Sequence, residues 1–230
     1  MSRLVPSIGR RNGRRRADRL TLGLAGLAFA TAGTVIVGEA LRLARRRVQA
    51  APSPDSMVET AEQAIAVAGQ ATQDTVAVAR EGYEQTPRGE TILFNMLGGF
   101  VGGFALMRLS TAGMRGGWWP LGVVRVGGRH IHHFVPGILV AFVSGGAGLI
   151  TQNERLEELL AFPFGAGIGL TFDEAALLLD LEDVYWTREG ILSVQVSLGL
   201  SAILGGTIIF LRMLRRGERQ VEEAGLIPVP

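Results

Sequence analysis

Apolar positions along this chain gather into five long runs, separated by polar segments that carry most of the arginines. In chain order they are Leu20 to Gly38, Thr91 to Met107, Phe134 to Asn153, a run from Leu159 to Leu179 interrupted by Asp173 and Glu174, and Gly190 to Leu211. The first, third and fifth hold 19, 20 and 22 residues without a charge. A helix needs about 20 apolar residues to cross the hydrocarbon core, so these three qualify by length alone. The second, with 17 residues, and the interrupted fourth are marginal.

The segments between the runs carry their own patterns. Pro52 and Pro54 open a polar, Ala-rich stretch, and Asp55 to Glu84 predicts a helix. Val58, Ala61, Ile65, Ala68 and Ala71 fall near one stripe of it, a weakly apolar face for the bundle, the bilayer or a partner. Val124 to His132 alternates around Gly127-Gly128, a hairpin signal that would set His130 and His132 on one face of the second strand. Pro136 suits the first turn of the following helix. Gly98, Gly99, Gly102 and Gly103 form two overlapping small-xxx-small pairs, and Gly165, Gly167 and Gly169 a second group, both devices for close helix contact.

The expected fold class is therefore an all-α membrane protein. It is a bundle of four to five transmembrane helices with a small extramembrane β-hairpin and one polar amphipathic helix. The expected organisation is a basic N-terminal tail over 1–19, a first transmembrane helix over 20–42, the extramembrane polar helix over 51–88, a transmembrane bundle over 91–214 and a C-terminal tail over 215–230. Val48-Gln49-Ala50 resembles a signal-cleavage site, but the preceding core is long and arginines follow it, which favours an uncleaved anchor.

Composition sharpens this picture. Hydrophobic residues make up 47% and charged residues 19%, a balance that points away from a soluble globule. Every basic residue is Arg, and its clusters border apolar runs, where anionic headgroups would attract them. That placement makes the lipid bilayer the expected partner and gives no reason to expect nucleic acid. Cysteine is absent, which removes disulfides, thiolate zinc sites and thiol nucleophiles. If the N-terminus starts inside, twelve arginines fall on the inner side and eleven on the other, so the positive-inside rule does not set the orientation.

The chemistry concentrates at one place. A short polar loop, Thr151 to Glu158, joins the third and fourth runs, so they form an antiparallel pair. The start of one and the end of the other then share a side. His130, His132 and His133 stand at that start, and Asp173, Glu174, Asp180, Glu182 and Asp183 along that end. All three Trp residues and Tyr185 belong to the same side, as an interfacial belt would.

Asp173 and Glu174 lie about 10 Å deeper than Asp180 at about 1.5 Å per residue, and a carboxylate at that depth needs a partner or water. His130, His132 and His133 with Asp173 or Glu174 suit a divalent metal such as zinc, manganese or iron. A metal-bound water could then attack an ester, amide or phosphoester, with Glu174, or Asp173, as general base. The competing reading is a set of ion pairs with Arg125 and Arg129. Asp180, Glu182 and Asp183 read as an interfacial acidic cap.

His130-Ile-His-His-Phe-Val-Pro-Gly137 and Thr171-Phe-Asp-Glu-Ala-Ala-Leu-Leu-Leu-Asp-Leu-Glu-Asp-Val-Tyr-Trp-Thr-Arg-Glu-Gly190 resemble an uncharacterised family of bacterial multi-pass membrane proteins of actinobacterial type. The resemblance covers about Gly127 to Ser193 and implies a place in the bacterial cell membrane. It supplies no substrate. Three function classes follow: a non-enzymatic membrane protein that binds a partner or self-associates through Gly98 to Gly103 and the 51–88 helix, a metal-dependent membrane hydrolase, and a small proton- or ion-coupled transporter.

Overall fold

The computed structural model describes residues 8–53, 56–120, 125–126, 129–130, 133–173 and 188–228. Among these it holds six helices: α1 (Ile8–Ala50), α2 (Met57–Glu84), α3 (Arg88–Gly116), α4 (Phe134–Ile150), α5 (Glu154–Asp173) and α6 (Arg188–Glu223). Both arginine-rich ends expected as tails are helical, α1 from Ile8 and α6 through Glu223. Arg is a good helix former, and the helical parts, 8–19 and 215–223, contain no proline.

Two parts of the expected fold class are corrected. Among the described residues, three helices are long and apolar enough to cross a membrane, over Arg19–Ala50, Arg88–Gly116 and Leu198–Glu223, where four to five were expected. Helix α4 has 17 residues, about 26 Å at ~1.5 Å per residue, short of a hydrocarbon core of about 30 Å. Helix α5 opens with Glu154, Arg155, Glu157 and Glu158, which shortens its apolar part.

The β-hairpin is the second correction. Arg125–Val126 and Arg129–His130 pair antiparallel, two residues to a side, with Arg125 opposite His130 and Val126 opposite Arg129. That is a single turn-sized pairing, below the three or more residues of a strand that would hold a face. It ends at His130, so no described strand carries both histidines, and the architecture is helical.

The chain divides into two compact units. The first comprises Met1–Phe29 and Ile92–Gly206. Its organising contacts are backbone-to-backbone at glycine. A Cβ at Gly99 would strike the Phe162 carbonyl, at Gly165 the Met96 carbonyl and at Gly169 the Phe100 carbonyl, so α3 and α5 cross in parallel with almost nothing between them. Gly137 of α4 lies against Gly167, Leu170 and Thr171, and Gly145 against Phe164, which makes α4 and α5 antiparallel as expected. Asn153 starts α5 by accepting the Leu156 N–H at 3.1 Å, an N-cap. Pro163 stands inside α5, where the Asn95 side chain donates to the carbonyl of Glu158 at 2.8 Å.

The second unit comprises Ala30–Thr91 and Thr207–Pro230. Ser56 caps α2 by accepting the Glu59 N–H at 3.2 Å. The buried stripe of α2 is Val67, Ala71, Asp74, Thr75, Val78 and Gly82, not the stripe read from sequence, of which only Ala71 is buried. Val78 joins Leu43, Ala71, Leu214, Val221 and Ile227 in one core. Gly82 and Gly217 let α2 and α6 touch antiparallel, since a Cβ on either would meet a carbonyl of the other helix.

Charges surround this core. Arg47 grips Asp74 with two bonds of 2.8 Å, Arg46 pairs with Glu218 and Glu222, Arg42 with Glu39 and Glu218, and Arg216 with Glu90 at 2.8 Å. These arginines, expected to meet lipid headgroups, are held by carboxylates of their own unit.

Candidate functional site

The buried charge in the first unit is held by side chains of four helices. Asp173 is the last residue of α5 and is 4% exposed. Past the small-residue face of α3 stands Arg108, whose Nε donates to the Asp173 carboxylate. The same guanidinium donates from Nη2 to the Asp173 carbonyl at 2.7 Å and from Nη1 to the Thr21 hydroxyl of α1 at 3.3 Å. It lies 5.6 Å from the Phe104 ring centre, within cation–π range. From α6, the Gln195 amide donates to the carbonyls of Phe172 at 2.8 Å and Asp173 at 3.2 Å.

The logic is that of a helix end taken out of water. The last carbonyls of a helix have no partner within it, and a carboxylate at that end faces the negative pole of the helix dipole. Arg108 supplies positive charge to both, and Gln195 supplies neutral donors. A buried ion pair gains little net stability over an apolar pair, yet removing one partner costs about 3–5 kcal/mol because the other charge is stranded. The arrangement therefore fixes α1, α3, α5 and α6 to one another.

The residues expected to form a site divide into two groups. His133, immediately before α4, and Asp173 lie at the same end of the antiparallel α4–α5 pair. His130 closes the two-residue pairing described above. His132, Glu174, Asp180, Glu182 and Asp183 lie outside the described residues, as do Trp186 and Tyr185. Among the described residues, no three His, Asp or Glu side chains gather closely enough to hold a metal ion.

Arg108 and Gln195 are the residues that sequence reading missed. The available signal was that Asp173 needed a partner at its own depth and that Arg108 directly follows a charge-free run ending on the same side. Gly99 and Gly103, read as a surface for self-association, pack on α5 within the chain, while Gly102 faces open space.

Trp118 and Trp119 close α3. Gly117, at φ +72°, lets the chain turn back so that Trp118 N–H reaches the Gly113 carbonyl at 3.1 Å, a Schellman ending that only glycine adopts without strain. The Trp118 ring then covers Gly113 and Gly116. Comparison with protein-family models, with curated proteins and with solved structures finds no match.

Proposed function

We propose that this is a non-enzymatic, multi-pass protein of the bacterial cell membrane that acts by assembling with a protein partner. The observation that carries the reading is the commitment of Asp173 to Arg108. In a hydrolase this carboxylate would be a metal ligand or a base. Its Oδ1 and its charge instead serve the contact with Arg108 between helices. Helix α2 gives assembly a surface, because Met57, Val58 and Ile65 are 90%, 69% and 74% exposed on its first half. Exposed apolar side chains on a helix that is otherwise packed suit the groove or helix of a partner.

One observation favours a second reading. His133 and Asp173 share one end of the α4–α5 pair, and His130, His132 and Glu174 adjoin them in sequence. Zinc, manganese or iron held there would make the protein a metal-dependent hydrolase. Metal content separates the two. Protein purified without added metal or chelator is expected to carry no stoichiometric zinc, manganese or iron by elemental analysis. A stoichiometric ion in the wild type that disappears in the double variant H130A/H132A would overturn the assembly reading.

A further inference from the structure

Helix α2 is packed along its second half and bare along its first. Arg47 of α1 holds Asp74, and the Gln63 amide donates to the Pro52 carbonyl at 3.0 Å. These two links run in reverse order, so α1 and α2 are antiparallel and α1 ends near the level of Ala71. Gly217 of α6 lies against Val78 and Gly82, and α6 ends soon after, at Glu223. The stretch from Met57 to Gln70 therefore projects about 20 Å past both helix ends, at about 1.5 Å per residue. Within it only Val67 is buried. A lone helix of this length is marginal in water.

We infer that this projecting half of α2 pairs in parallel with the same helix of a second copy. The inference rests on the assembly and membrane readings above and names the partner. Val58, Ala61, Ile65, Ala68 and Thr72 are all exposed and are spaced alternately by three and four residues, the repeat of a coiled-coil seam. Written as heptads, the first position holds Val58, Ile65 and Thr72, all β-branched, and the fourth holds Ala61 and Ala68. β-branched residues at the first position suit a parallel two-stranded pair. Alanine at the fourth lets the helices approach closely. At the flanks Met57 would face Glu62 of the second copy and Ala64 would face Gly69, so no like charges meet.

Other cover for the stripe fits less well. A helix lying on a bilayer is rich in Lys or Arg, and no basic residue falls between Val48 and Ala79, where Asp55, Glu59, Glu62 and Asp74 stand. Antiparallel pairing conflicts with membrane insertion. Helix α2 runs antiparallel to α6, whose Leu198–Glu223 is long and apolar enough to span, so in a membrane α2 stands along the normal. Copies inserted the same way are related by an axis along that normal, which sets their α2 helices parallel. Two heptads are short for a free coiled coil. Anchoring both chains in one bilayer supplies the effective concentration that length does not.

The test is oxidative cross-linking of single-cysteine variants of the full chain in membrane vesicles, since the chain has no cysteine of its own. Val58→Cys, Ala61→Cys, Ile65→Cys and Ala68→Cys are expected to form disulfide dimers. Thr60→Cys, Ala66→Cys and Gln70→Cys, on the other faces, are expected to react about tenfold more slowly, because a disulfide needs Cβ atoms within about 4.5 Å. All seven positions are exposed, so none of these changes opens the core. Adding Ile65→Glu to Val58→Cys is expected to slow dimer formation about tenfold or more, as an unpaired carboxylate in the seam implies. Should that variant fail to fold, Ile65→Gln makes the same comparison without the charge. Equal cross-linking at all seven positions, or at none, overturns the inference. Reaction at 65 and 68 without reaction at 58 indicates antiparallel pairing and overturns it too, as does an unchanged rate with Ile65→Glu or Ile65→Gln. Each of these failures leaves the assembly reading standing, since a different protein could cover the stripe, and that reading falls on its metal analysis instead.

Discussion

Arg108 touches a carboxylate, a helix-end carbonyl, a hydroxyl and an aromatic ring, so its replacement removes several contacts at once. Arg108→Gln is expected to lower stability in detergent by about 3–5 kcal/mol, because the Asp173 carboxylate stays buried without its counter-charge. Asp173→Asn should also destabilise, since the guanidinium then lacks its anion. The double variant R108Q/D173N should be more stable than the sum of the two losses predicts, and a double-mutant cycle by thermal unfolding measures the difference. Simple additivity would show that the two groups do not act as a pair. At this scale the sequence showed that Asp173 needed a partner, because a charge interrupts an otherwise apolar run. It did not show which partner. Arg108 is 65 residues away, and the histidines, Arg125 and Arg129 stood nearer in sequence.

The helices meet through glycine, and the contact is specific to register. Gly165→Ala would drive a methyl into the Met96 carbonyl of α3, and Gly99→Ala into the Phe162 carbonyl of α5. Neither obstacle is a flexible side-chain end that can swing aside. Each substitution should lower the thermal midpoint, by about 1–3 kcal/mol in stability, as overpacking does. Gly102→Ala, with nothing within 4 Å of its added methyl, should be neutral or stabilising by up to about 1 kcal/mol from helix propensity. Equal effects at Gly99 and Gly102 would refute the crossing.

The glycine spacing was legible as a close-contact device, but spacing cannot tell an internal neighbour from a second copy. The helical character of α2 was legible for a similar reason, and its buried face was not. Alanines on all sides leave several stripes of nearly equal apolarity, and the one chosen by the fold contains Asp74, buried by pairing with Arg47. The hairpin failed because alternation around Gly-Gly marks a turn without guaranteeing strands long enough to hold a face.

For the whole chain, the antiparallel relation of α4 and α5 makes a topological statement. Single cysteines at positions 133 and 171 should react with membrane-impermeant reagents from one side only, and the same side, after detergent-free preparation of vesicles. The absence of native cysteine makes the measurement clean. Reaction from opposite sides would break both the fold and the proposed function. The antiparallel pair was the most legible long-range feature of the sequence, because the polar loop between the two runs is too short for any other arrangement.

The capping of α5 by Gln195 has a consequence in time. Chains are made from the N-terminus, and α5 is complete before the ribosome has reached Gln195. Until then the carbonyls of Phe172 and Asp173 lack the Gln195 amide that later donates to them, while Arg108 is already in place. The contacts among α3, α4 and α5 can form early, whereas the joint at the end of α5 closes only once α6 has arrived. A nascent protein of this design thus completes the polar joint at the end of α5 late in synthesis, and a chain interrupted before Gln195 lacks it.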